Sequence, residues 1–221
     1  VFERMIDYPC AVAEDDQANE GVRLAWRWVL DHVSENSKDA VLWAPQKQSL
    51  RDNQLAQRIA AMPGVRTATG RGSTYHGSRG PVLALWPDID ELATICHYGA
   101  SALAVVMWGE PFRLWANEVG AEFLSRDPEM QDEPEPTLEP EVVSALETIT
   151  SLINQSNSIG SRGYDKRDTV KPLLDLHDRG FRPDDKLVRQ WAAAHGWRGE
   201  NVAHLGSYVR DIIAGKRPQI R

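Results

Sequence analysis

Residues 80–110 read GPVLALWPDIDELATICHYGASALAVVMWGE, and their pattern decides the fold. Pro81-Val-Leu-Ala-Leu-Trp86 is a short apolar run closed by Pro87, as expected of a strand buried on both faces. Asp88, with Glu91 three residues on, resembles a capping box, so a helix is predicted from there through about His97. Leu103-Ala-Val-Val-Met-Trp108 is then a second buried strand. Strand, helix, strand within about thirty residues is the signature of a parallel crossover unit.

The same alternation continues on either side. Val22, Trp26, Val29, Leu30 and Val33 lie at helical spacing, predicting a helix over 19–35. Ala40-Val-Leu-Trp-Ala44, stopped by Pro45, is another buried strand. Leu55, Ile59 and Met62 mark a helix face closed by Pro63-Gly64, and a weaker strand is expected at 65–69. Phe112, Trp115, Val119 and Phe123 give a last helix face. The expected fold is therefore α/β: a small Rossmann-like sandwich with a mainly parallel sheet, followed by an all-helical C-terminal module.

The division comes at RDPEMQDEPEPTLEP, residues 126–140, with six acids, one base and four prolines. Nothing in it can build a core, so it reads as a solvated linker. Residues 1–125 carry a net charge of −5 and residues 141–221 a net charge of +3. An α/β domain over 1–125 and a helical domain over 141–221 follow. In the latter, Asp184 is placed to cap a helix, and His195-Gly-Trp-Arg198 joins two helices in a tight turn compatible with a helix-turn-helix.

The 221 residues have a net charge of −7, which speaks against a globally basic nucleic-acid binder. Two isolated cysteines, Cys10 and Cys96, exclude a disulfide scaffold and a zinc cluster, and fit a reducing, cytoplasmic location. No apolar run is long enough to span a membrane, and Val1–Cys10 lacks the apolar core of a secretory signal. No GxxxxGK[ST] and no GxGxxG is present, so no nucleotide cofactor is implied.

Three of the eight tryptophans share one context, each ending an apolar strand before a break: Trp43, Trp86 and Trp108. Ligands of open α/β sheets bind outside the carboxyl ends of the strands, so these indoles are candidates to stack a planar group. The alternative is that they are lids on the core. Lys47 and Ser49 lie near a helix start that could hold an anion. In the glycine-rich stretch 69–80, Arg71, His76 and Arg79 are candidate phosphate contacts and Tyr75 a stacking partner. Asp88, Asp90 and Glu110 are the carboxylates that a divalent cation would need, although Asp88 is equally explained as a cap.

RGPVLALWPD (79–88), followed by a helix and ALAVVMW (102–108), resembles an uncharacterised bacterial two-module family of unknown function. So does WAAAHGWRGENVAHLGSYVRDIIAGKRP (191–218). The resemblance implies that the two modules belong together and transfers no catalytic residue. The resulting expectation is a non-enzymatic binding or regulatory protein with a nucleotide, phosphate or partner site at the sheet edge. Two alternatives stand beside it. One is a metal-dependent phosphodiester hydrolase or nuclease; the other is a DNA-binding regulator acting through the helical module. Expected partners are accordingly a protein or a nucleic acid, with no membrane.

Overall fold

A computed structural model describes residues 6–16, 18–34, 39–70, 75–109, 112–124, 135–161 and 163–220. The first half alternates as expected: β1 Cys10–Glu14, α1 Glu20–Asp31, β2 Ala40–Ala44, α2 Lys47–Asp52, α3 Gln54–Ala60 and β3 Val65–Thr69. β4 Val82–Leu85, α4 Ile89–Tyr98, β5 Leu103–Met107, α5 Arg113–Val119 and β6 Glu122–Phe123 complete it. Four helices follow: α6 Pro140–Leu152, α7 Tyr164–Asp178, α8 Asp185–Ala194 and α9 Gly199–Ile213.

Among the described residues, six strands form one sheet in the order β3-β2-β4-β5-β1-β6, and every pairing is parallel. Two strands depart from the sequence expectation. β1, five residues long and rich in alanine, is an interior strand between β5 and β6. Phe123, expected on a helix face, lies in the short edge strand β6.

Alternation within the strands divides the core into two layers. Val41, Trp43, Val82, Ala84, Leu103, Val105 and Met107 face one side, with α4, α5 and the C-terminal helices. Leu42, Ala44, Leu83, Leu85, Ala104 and Val106 face the other, against α1 and α3. Ala11, Ala13 and Ala104 are small where Trp26 and Trp28 of α1 are large, so volume is balanced across that layer.

Helices α8 and α9 pack directly on α4, and α8 also packs on α5. One apolar cluster therefore runs from the sheet through α4 into Val188, Trp191, Val202, Leu205 and Val209. Polar ties accompany it. The imidazole Nδ1 of His97, near the end of α4, donates to the carbonyl of Gly196 (3.0 Å). Gln190 of α8, 6% exposed, accepts from the backbone N–H groups of Leu114 (3.0 Å) and Trp115 (3.3 Å) at the start of α5. Trp197, fully buried, donates its indole N–H to Thr150 Oγ1 (2.9 Å).

Gly199 shows how close this docking is. A β-carbon there would meet the Asp90 carbonyl oxygen and Thr94 Oγ1 at 2.2 Å. Gly199→Ala should therefore cost about 1–3 kcal/mol, as overpacking does in a filled interior. Urea denaturation measures this, and an unchanged midpoint would show that α9 does not sit this tightly on α4.

Candidate functional site

All five principal strands run the same way, so their carboxyl ends share one edge. β1 and β2 send their following helices to one face; β4 and β5 send theirs to the other. Such a parting of connections opens a crevice above the strand ends. The cleft found at this edge has a volume of about 860 Å³. Asp15, Asp16 and Asn19 follow β1; Ser49, Asp52 and Asn53 come from α2 and its junction with α3. Trp86, Pro87, Asp88 and Ile89 follow β4, and Trp108 and Phe112 follow β5. Lys186, Arg189 and Gln190 of α8 supply a further wall.

Trp86 has φ 51°, a left-handed backbone that is rare for a bulky side chain. Leu85 faces the α1 layer, so strict alternation would send Trp86 to the α4 side. The left-handed turn instead lays its indole against the α1 layer. It is held there by donation of the indole N–H to Asp15 Oδ2 (2.9 Å) and of its backbone N–H to the Val106 carbonyl (2.8 Å). A strained conformation of this kind persists only where its surroundings over-determine it, as at ligand sites. Trp108 differs: it stands 62% exposed at the cleft.

Trp43 does not reach the cleft. It is level in register with Ala84, two residues short of Trp86, and is 2% exposed within the core. Of the other expected residues, Ser49 lines the cleft, whereas Lys47 is exposed outside it. Tyr75 is buried and donates its hydroxyl to the Gly99 carbonyl (2.7 Å), and His76 makes an edge contact with Tyr98. Gly99 follows the end of α4, which begins at the cleft edge, so Tyr75 and His76 lie at the opposite edge of the sheet. Arg79 is exposed just ahead of β4, at that same far edge. Arg71 and Glu110 lie outside the described residues. Sequence reading missed Asp15, Asp16 and Asn19, because it did not recognise β1, and it did not place Arg189 at this edge, because it did not foresee how α8 docks.

Asp88 and Glu91 form the capping box: Asp88 Oδ1 accepts from the backbone of Asp90 (2.9 Å) and Glu91 (2.8 Å). Asp90 is paired with Arg189 (2.8 Å). Burial lifts the Asp90 carboxyl above its ordinary range, and Arg189 opposes that. Among the described residues, no three His, Cys, Asp or Glu side chains are grouped to hold a metal ion. Burial pushes the Cys10 thiol up to about 12 and Cys96 well above its usual value, so both are poor nucleophiles.

The turn joining α8 and α9 is present, but the start of α9 is packed against α4 at Gly199. A recognition helix would present those first residues to base edges. The bases of the C-terminal helices are interleaved with acids: Arg167 with Asp168, Arg198 with Glu200, Arg210 with Asp185 and Arg217 with Asp178.

Residues 138–221, which hold α6 to α9, match a family model described as a domain of unknown function (DUF1889). Residues 191–218, which carry part of the resemblance, fall within this match. No curated protein and no solved structure matches the chain. Among the described residues, no helix is long and apolar enough to cross a membrane.

Asp15 makes the cleft titratable. Burial raises its carboxyl above the ordinary aspartate value, while the Trp86 indole and the nearby amides of Asp16 and Val22 pull it down; the net direction is up. The folded protein thus holds this proton more tightly than the unfolded chain. The contribution of Asp15 to stability is complete at acid pH and is lost as pH rises through its raised value. Because the carboxylate sits on the indole N–H, tryptophan emission should step at that pH, and the step should be missing in Trp86→Phe. A midpoint at or below the range of an exposed aspartate would overturn this coupling.

Proposed function

We propose that this protein is a small-molecule-binding protein that holds a flat ligand against the aromatic wall of the cleft. The observation that carries this reading is Trp108, 62% exposed beside Trp86 and Phe112 at an opening of about 860 Å³. That volume is within the range of small-molecule sites, roughly 300–1,000 Å³. An indole left this open offers a stacking surface that the fold itself does not use. The strained Trp86 gives the wall a fixed second ring.

Binding rather than catalysis is supported by what the acidic side chains already do. Asp88 caps α4, and Asp90 neutralises Arg189. A phosphate at this edge has less support, because Lys47 lies outside the cleft and His76 and Arg79 lie at the far edge. The helical module supports the reading in a different way, since α8 closes one wall of the same cleft.

Tryptophan fluorescence of the full chain, titrated with nucleosides, nucleotides and free aromatic heterocycles, tests the proposal. At least one flat compound should give saturable quenching. Trp108→Ala should weaken it by about 1–3 kcal/mol, the usual value of one stacked base, or roughly 5- to 150-fold. The same substitution should leave unfolding within about 0.5 kcal/mol of the original, as for other surface changes. Undiminished affinity in Trp108→Ala would remove the ligand from this cleft.

A further inference from the structure

Resting on the reading of the cleft as a small-molecule site, we infer that its ligand is an organic cation: a flat head bearing charged N–H donors. Among the described residues, four aspartates line the cleft against two bases. Both bases are engaged, Arg189 by Asp90 at 2.8 Å and Lys186 by contacts of its own. Asp16, Asp52 and Asp88 are each held by one oxygen, whereas Asp15 is more enclosed, its Oδ1 being buried. Asp15 Oδ2 accepts the Trp86 indole (2.9 Å), and Asp16 Oδ1 accepts the backbone N–H of Glu20 (2.8 Å). Asp52 Oδ1 accepts Gln48 Nε2 (2.6 Å), and Asp88 Oδ1 accepts two amides of α4. Anchored in this way, a carboxylate keeps its second oxygen as an acceptor of fixed direction.

An anion gains little from the starts of α1 and α4. Helix starts attract phosphate through free N–H groups, but at α1 and α4 those groups already face Asp16 and Asp88. A cation gains twice, from the carboxylates and from the exposed indole of Trp108. A neutral donor gains only the hydrogen bonds. The site therefore ranks ligands of one shape by charge.

Benzamidine, benzamide and benzoate share one ring and differ in charge, so they separate charge from shape. Titrated into the full chain at fixed ionic strength, benzamidine should quench tryptophan emission and raise the melting temperature. Benzamide should bind at least about tenfold more weakly, the cost of losing a charge-assisted pair, and benzoate not measurably. Asp16→Asn with Asp52→Asn, both at exposed positions, should weaken benzamidine about tenfold and benzamide by a smaller factor. Benzamide or benzoate binding as tightly as benzamidine overturns the charge selection and leaves the small-molecule reading in place. Benzamidine binding that survives Trp108→Ala overturns its location. No response to any of the three overturns the cationic ligand; the broader reading falls only if the heterocycle panel is silent too.

Discussion

Helix α4 is covered twice, and most of the structure depends on that. Its apolar residues Leu92, Ala93, Ile95 and Cys96 are buried in the layer that joins the sheet to α8 and α9. A helix exposed to water on its outer side would need polar residues there. Here the outer side meets Gly199, whose missing side chain lets α9 approach the Asp90 carbonyl. Once α8 and α9 are seated on α4, Arg189 reaches Asp90 and Gln190 reaches the start of α5. The cleft wall contributed by α8 is a consequence of core packing, which fixes it more firmly than a loop could be fixed.

Most of the α/β architecture was legible because buried parallel strands read as unbroken apolar runs. Val82–Leu85 and Leu103–Met107 are fully buried on both faces, and their sequences say so. β1 was not legible: Cys-Ala-Val-Ala-Glu is short, and its alanines serve volume balance against Trp26 and Trp28 rather than hydrophobicity. With β1 unrecognised, Asp15 and Asp16 had no assigned place at the sheet edge. The acidic composition of 126–140 marks where the two halves of the sequence differ, yet composition cannot tell that residues on either side share one apolar cluster.

The tryptophans show the limit of reading by context. Trp43, Trp86 and Trp108 each follow an apolar run, but strand register decides where they stand. Trp43 pairs level with Ala84, so the sheet continues past it and buries it. Trp86 and Trp108 fall beyond the last paired residues Leu85 and Met107. A register difference of two or three residues separates a core side chain from a cleft wall. The left-handed turn at Trp86 then overrides alternation, which no pattern of residue types would have indicated.

The sign of the cleft follows from how the helices that open onto it are capped. In parallel α/β sheets, this edge gathers helix starts, whose amides and dipoles favour anions. Here the chain fills three of those positions itself. Asp16 serves the start of α1, Asp88 the start of α4, and Gln190 the start of α5. Each cap satisfies amides that would otherwise lack partners in a partly buried setting. Two of the three caps bring a negative charge, so an edge that is ordinarily attractive to phosphate becomes attractive to cations. The same side chains that hold the helices in place thus set the electrostatic character of the opening between them.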